Sequence, residues 1–252
     1  MGIKNRLVCA ESRKGQLTDQ VAEFQMGNDC PMRLALSPNG KSVVFAMSDG
    51  IRRVDQDTKG RTPKFNEVSG DLAAKVSAIK GEVKALAFTP DGAHLALGFA
   101  SGELRVVEWP SLKPKFLLSG ATQLPDAVRD VDFSVQPDAP GRVLGVTVDD
   151  GTCELWDWDK TELLCRLSPG KLRQKMERNV LVSRGGDTLV QQLPRGVERV
   201  QLSKLRFARD GSGDLLTLAN SPVAGGQLAR WGGAALLGTP AGPALPPLLS
   251  CR

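Results

Sequence analysis

The chain has 252 residues, 41% of them hydrophobic, and a formal net charge of +5, enough length and apolar content to bury a substantial core. With eight Phe, four Trp and no Tyr, that core must be built mostly of Leu, Val and Ala. The cysteines Cys9, Cys30, Cys153, Cys165 and Cys251 form no Cys-x-x-Cys pair, which argues against a zinc site and for free thiols in a reducing compartment rather than a disulfide framework.

The N-terminus, MGIKNRLVCAESRK, has no apolar run long enough for a signal peptide. Gly2 is followed by Arg6 where a myristoylation signal needs Ser or Thr. The first repeating unit then begins: Leu34-Ala-Leu-Ser-Pro-Asn-Gly40, a strand from Ser42 to Met47, the turn Ser48-Asp49-Gly50, and a strand from Ile51 to Asp55. Arg52, Arg53, Lys59, Arg61 and Lys64 cluster there, interleaved with Asp55 and Asp57.

The second unit is the clearest. A strand from Val83 to Phe88 meets Pro90-Asp91-Gly92, a strand from His94 to Gly98 meets Ser101-Gly102, and a strand from Glu103 to Trp109 stops at Pro110. Short β-rich runs joined by Asp-Gly and Ser-Gly read as successive hairpins, because Gly tolerates the positive φ that tight turns require. A third unit runs through Val131 to Ser134, Arg142 to Val148, Asp149-Asp150-Gly151 and Cys153 to Asp159. A fourth uses Leu205 to Gly211, Leu215 to Ala219, Gly225-Gly226 and Gln227 to Trp231. WD-type repeats run about 40–45 residues, each a four-stranded sheet, and the middle units keep that spacing. The fold expected is therefore all-β, an incomplete WD-repeat β-propeller of about four to five blades over residues 1–231. The Gly/Ala/Pro-rich stretch 232–252 is expected to be a disordered tail, since Pro240, Pro243, Pro246 and Pro247 interrupt what a spanning helix of about 20 apolar residues would need.

The chemistry-bearing residues have bland explanations. Trp109, Trp156 and Trp231 fall near one place, late in the third strand, and read as packing between blades. His94 is the one histidine, set inside a strand, where it reads as structural rather than as the general base that any nucleophile-base pair in this chain would need. Asp149-Asp150 and Gly185-Gly186-Asp187 are turn signals. Lys171, Arg173, Lys175 and Arg178, with Glu177 among them, form a second basic segment. No aromatic residues alternate with either basic run, which argues against nucleic acid as a partner and for a solvated face.

Several runs resemble one family of WD-repeat proteins. Ala85-Leu-Ala-Phe88 with Leu104-Arg-Val-Val-Glu-Trp-Pro-Ser-Leu-Lys113 is similar to a blade of the Sec-twelve-like exchange factors, the family that includes the plant members and prolactin regulatory element-binding protein. Gly2-Ile3-Lys4-Asn5, then a strand, the Ser-Arg-Lys-Gly turn and Arg33-Leu-Ala-Leu36, match it in the same order, as do Val128-Arg-Asp-Val-Asp-Phe-Ser134 and Asp150-Gly-Thr-Cys-Glu-Leu-Trp156. The resemblance covers about residues 2–231. It implies a guanine nucleotide exchange factor for the Sar-type small GTPase that starts COPII coat assembly in ER-to-Golgi transport, on the cytosolic face of the endoplasmic reticulum membrane. Exchange requires no catalytic nucleophile; tighter binding of the nucleotide-free GTPase drives release by linkage. The resemblance also implies that Gly2, Ile3, Lys4 and Asn5 end a GTPase-contacting loop organised by a potassium ion near Asn5. The family's glycine run before that loop, its last blades and its membrane anchor have no counterpart here, so a member truncated at both ends is expected. The alternative is a WD-repeat interaction scaffold without exchange activity, cytoplasmic if the chain has no anchor.

Overall fold

The structure, a computed structural model, describes residues 4–28, 30–57, 59, 64–136, 141–168, 181–184, 187–190, 201–221 and 225–232. Gly2, Ile3, the basic segment at 171–178, the Gly185-Gly186 pair and the tail beyond Gly232 lie outside the described residues. The chain divides into two compact units, Met1–Lys84 and Ala85–Arg252.

The first unit opens with a long antiparallel hairpin, β1 (Asn5–Arg13) and β2 (Gln16–Gly27). Lys14 and Gly15 both take positive φ, 51° and 76°, the backbone of a two-residue hairpin turn whose twist matches its strands. One four-stranded antiparallel sheet follows in chain order: β3 (Arg33–Leu36), β4 (Ser42–Ala46), β5 (Ile51–Asp57) and β6 (Lys64–Glu67). Every residue of β4 is buried, and Met26 of the hairpin packs with Val43, Phe45 and Val54. The stretch after β6 holds a short helix, α1 (Gly70–Ala78), with Val76 buried; Asp71 in its first turn and Lys75 in its last interact favourably with the helix dipole.

The second unit begins within β7 (Val83–Phe88), which forms one sheet with β8 (His94–Phe99), β9 (Leu104–Glu108) and β10 (Pro114–Leu118), and β11 (Val128–Phe133), β12 (Val143–Val148), β13 (Cys153–Asp157) and β14 (Glu162–Leu167) form the next. A separate hairpin, β15 (Leu181–Arg184) with β16 (Asp187–Val190), pairs Arg184 with Asp187. The last sheet has β17 (Gln201–Phe207), β18 (Leu215–Ser221) and β19 (Gly225–Trp231). The first three strands of each repeat stand where their turn residues predicted. The outer strands β6, β10 and β14 were missing from that expectation. Such edge strands are polar or half-exposed, so they carry no clean apolar alternation, and β10 begins on a proline, which an edge tolerates.

The turn chemistry repeats with the blades. The Ser37 hydroxyl accepts from the Ser42 backbone N–H at 2.9 Å and donates to Asn39 Oδ1 at 2.8 Å, and the Thr89 hydroxyl accepts from the His94 N–H at 2.9 Å and donates to Asp91 at 2.6 Å. Burial pushes the Asp91 carboxyl up, but its hydrogen bonds from Thr89 and the Ala93 N–H outweigh that and hold it below the ordinary value. At the next hairpin, Gly102 (φ +86°) touches the chain that enters the following blade: its carbonyl accepts from the Leu124 N–H at 3.0 Å, and a Cβ on it would lie 2.4 Å from the Leu124 carbonyl oxygen.

Neighbouring sheets of this unit pack face to face. Ala96, Leu104 and Val106 join Val128, Val131, Phe133 and Trp158 in one buried cluster, and Val143 and Leu155 join Leu205, Phe207, Leu215 and Trp231 in another. Small residues permit the close approach: a Cβ on Gly145 would lie 3.0 Å from Leu205 Cδ1 and 3.2 Å from Phe207 Cε2.

Candidate functional site

Of the four residues expected to meet a GTPase, Lys4 and Asn5 are described. Both are exposed. Asn5 starts β1 opposite Gly27, the last residue of β2 (φ +67°), so the pair marks the base of the hairpin, the end away from the Lys14-Gly15 turn. The neighbouring surface is polar: Arg6 Nη1 donates to Glu23 Oε2 at 3.0 Å, and Gln25 Nε2 donates to Glu23 Oε1 at 2.9 Å. The strand pairing fixes the backbone at Asn5 and sets the point from which a contact loop would depart. A potassium ion requires several converging oxygens. Asn5 offers one amide oxygen toward such an ion; among the described residues no group of three or more His, Cys, Asp or Glu side chains could hold a metal ion.

The other candidates resolve into packing and turns. The His94 ring lies 4.8 Å from the Trp158 ring, with its backbone held by Thr89. Asp150 accepts from the Thr152 N–H at 2.7 Å and hydroxyl at 2.8 Å, closing its hairpin, while Asp149 pairs with Arg129. In the basic cluster, Arg53 is buried and donates twice to Asp55, at 2.8 and 3.0 Å, and Arg52 pairs with Glu67 while lying over the Phe24 ring. Both cations are engaged within the first unit.

The tryptophans are structural, but they do not share one position. Trp156 and Trp231 stand opposite Leu144 and Leu215, which are equivalent because each also pairs with the phenylalanine ending its blade's first strand, Phe133 and Phe207. Their indole N–H groups donate to Glu154 and Thr217, each at 2.8 Å. Trp109 is further along. Its backbone N–H donates to the Ala93 carbonyl, one residue beyond the His94–Glu108 pair, and its counterpart is Trp158, whose indole donates to the Gly141 carbonyl at 2.7 Å. Spacing from the turn could not separate two positions only two residues apart.

One cluster was not anticipated. Asp130 and Asp132 alternate along β11 and so share a face. Asp130 accepts from the Leu205 backbone N–H at 3.0 Å and from Arg206 at 2.7 Å, with Lys204 at 3.3 Å. Asp132 accepts from the Phe207 N–H at 2.9 Å and from Arg209 at 3.0 Å. The two carboxylates thus satisfy N–H groups along β17, joining consecutive blades where no strand ladder runs. Burial pushes the Asp132 carboxyl above its ordinary value, against the opposing effects of the Phe207 N–H and Arg209. The visible signal was the pair of acids in Val128-Arg-Asp-Val-Asp-Phe133, at alternate positions of a strand otherwise fit for burial. Cys153, also buried, has its thiol pushed up to about 12, so it is a packing residue and not a nucleophile.

No protein-family model matches the chain. Among curated proteins it is 28% identical to SEC12-like protein 2 of Arabidopsis thaliana over 174 residues, 68% of this chain and 42% of that protein. It is 29% identical to SEC12-like protein 1 of the same plant over 126 residues, 50% of this chain and 29% of that protein. The chain therefore spans less than half the length of these relatives. Among solved structures it is similar to the WD40 repeats of RRP9 (TM-score 0.51, 15% identity, 82% of this chain and 52% of that one) and to U3-55K (TM-score 0.50, 15% identity, 82% and 53%). At that identity the likeness speaks for the fold alone. Among the described residues no helix is long and apolar enough to cross a membrane. The blades place the fold with the WD-repeat β-propellers, and the matches to two SEC12-like proteins bear out the family resemblance read from the blade motifs: this chain is similar to the SEC12-like proteins.

Proposed function

We propose that this chain is a guanine nucleotide exchange factor, or part of one, for a Sar-type small GTPase that initiates COPII budding at the endoplasmic reticulum. The observation that carries the reading is its similarity to a SEC12-like protein over 174 residues, joined to the order in which the family's motifs occur. The exposed Lys4 and Asn5, at the base of a long hairpin, support a contact surface at that end. An exchange factor needs a shape that binds the empty GTPase better than the loaded one, and coupling energies of about 1–3 kcal/mol already change nucleotide affinity about 5–150-fold.

The test is release of a fluorescent guanine nucleotide from a purified Sar-type GTPase, with this chain added in potassium buffer and again in sodium buffer. Faster release, reduced by Asn5→Ala, is the expected result. Faster release that is the same in both buffers keeps the exchange reading and removes the potassium ion from it. Rates equal to buffer alone, from a folded sample, reject exchange activity for this chain and leave the interaction-scaffold reading.

A further inference from the structure

We infer that Asn39 is a site of spontaneous covalent modification: when its turn opens, the Gly40 nitrogen displaces ammonia from the Asn39 side chain, and hydrolysis gives an aspartate that the turn accepts in place of the asparagine. The inference is independent of the exchange reading. It rests on the one Asn-Gly pair in the chain and on the same turn built with aspartate in the next blade.

The two turns share a sequence pattern and a set of bonds. Ser37-Pro38-Asn39-Gly40 and Thr89-Pro90-Asp91-Gly92 each open on a hydroxyl residue. The N–H groups of Ser37 and Thr89 donate to the carbonyls of Ser42 and His94, as that of Ser134 does to Val143 in the third blade. The Gly40 N–H donates to the Ser37 carbonyl at 2.8 Å and the Gly92 N–H to the Thr89 carbonyl at 2.9 Å, with glycine φ of 71° and 72°. Asn39 Oδ1 accepts from the Ser37 hydroxyl at 2.8 Å and from the Lys41 N–H at 3.0 Å. Asp91 Oδ1 accepts from the Thr89 hydroxyl at 2.6 Å and from the Ala93 N–H at 2.9 Å. In the last blade Asp210 makes the same step, accepting from the Ser212 N–H at 3.0 Å. The turn therefore uses a side-chain oxygen at this place, which asparagine and aspartate supply alike.

Glycine at position 40 favours the attack, because it has no side chain to shield its nitrogen or restrict its backbone. That nitrogen bonds to Asn39 Cγ, the Cγ–Nδ2 bond breaks, and ammonia leaves with the proton given up by the Gly40 nitrogen, so a cyclic imide remains. Water then opens the imide at one of its two carbonyls. Addition at Cγ restores the backbone and leaves aspartate. Addition at the former backbone carbonyl leaves isoaspartate, with the chain routed through Cβ and Cγ. The closed turn holds both reacting groups, the Gly40 N–H on the Ser37 carbonyl and Oδ1 on its two donors, so the reaction waits on opening. Pro38, Asn39 and Lys41 are exposed, and the exposed bonds of a loop tip are among the first in a fold to open. Reclosure separates the products. Aspartate retakes the acceptor's place, as Asp91 shows. Isoaspartate adds one backbone atom immediately before β4, every residue of which is buried. The entry to that strand is fixed by the Ser42 N–H on the Ser37 hydroxyl at 2.9 Å and by the Gln56 N–H on the Lys41 carbonyl at 2.7 Å, so the extra atom breaks one bond or the other.

Tryptic cleavage after Arg33 and Lys41 isolates Asn39 in the peptide of residues 34–41. Mass spectrometry of that peptide reads the change from amide to acid, and labelling by an isoaspartyl methyltransferase marks the isoaspartyl product alone. The purified full chain and a synthetic peptide of residues 34–41 are incubated side by side at mildly alkaline pH. Conversion at Asn39 is expected in both, and roughly tenfold slower or more in the full chain, where it waits on opening. The unit Met1–Lys84 contains neither Trp nor Tyr, so hydrogen exchange of the β4 amides reads its fold. Asn39→Asp is expected to keep the β4 protection of the wild type, and the isoaspartyl fraction of the aged chain to lose it. A full chain unconverted when the peptide is fully converted overturns the inference. Equal rates in the peptide and in a chain whose β4 is protected overturn the gating by the turn. Loss of β4 protection in Asn39→Asp overturns the accepted product.

Discussion

Replacing Gly102 by alanine separates the two reasons a glycine stands in the second hairpin of a blade. The residue has φ +86°, and a Cβ there would lie 2.4 Å from the Leu124 carbonyl oxygen. Left-handed backbone costs a residue with a side chain about 1–2 kcal/mol, part of it offset by about 0.4–1 kcal/mol because alanine narrows the unfolded ensemble. The overlap is with backbone and cannot be relieved by a rotamer change, so the two chains must part. Separation weakens the Leu124 N–H bond to the Gly102 carbonyl, 3.0 Å long, worth about 0.5–1.5 kcal/mol, and strain of the overpacking kind adds about 1–3 kcal/mol. Gly120 is the control: its φ is +57° and nothing lies within 4 Å of where a Cβ would stand, so Gly120→Ala meets the backbone penalty alone. We expect Gly102→Ala to cost about 2 kcal/mol more than Gly120→Ala, or roughly 4–8 °C in Tm for a chain of this size. Trp109, Trp156, Trp158 and Trp231 all lie in the same unit as both glycines, so urea unfolding followed by tryptophan fluorescence reports the relevant part of the chain. Equal destabilisation by the two substitutions would refute the steric argument and leave only the conformational one.

Two further outcomes test the seam between β11 and β17. Asp130→Ala strands the Leu205 N–H and leaves two cations without their carboxylate, a loss of about 2–3 kcal/mol; Asp130→Asn keeps an acceptor for the N–H and should lose less, and equal losses in urea unfolding would count against the backbone bond. Asp132 carries a pH signature. Its native carboxyl sits above the ordinary value because of burial, so the folded chain binds that proton more tightly than the unfolded one. Its contribution is most favourable below the unfolded pKa, about 3.9, and is lost as pH rises through the higher native value. Asp132→Asn removes this slope, so its stability relative to wild type should improve as pH rises across that acidic window; a constant difference would show that Arg209 and the Phe207 N–H balance burial, and a difference that worsens with rising pH that they outweigh it.

The sequence by itself determined the blade pattern. Pairs such as Pro90-Asp91-Gly92 and Ser101-Gly102 specify tight turns through local backbone preference, and the apolar runs between them have the length of strands, so the inner three strands of each blade were legible, as was the family. The outer strands β6, β10 and β14 were not, because a half-exposed edge has no apolar alternation to read. Helix α1 was not either: nine residues with one buried side chain leave no periodic stripe. At the candidate site, Lys4 and Asn5 were recognisable by motif order, while their position at the base of a hairpin came from the pairing of Asn5 with Gly27.

Only the tertiary structure decided which like-looking residues do different work. Trp109 and Trp156 look equivalent in sequence and differ by two places in register. Asp130 and Asp149 are both acids near a turn-rich strand, yet one satisfies the backbone of another blade and the other faces a surface arginine. Leu36 and Phe133 occupy the same place in their blades, and one is exposed while the other is buried. Local preference sets a strand and its turn; burial and partnership depend on which sheet lies opposite, and that neighbour is far away along the chain.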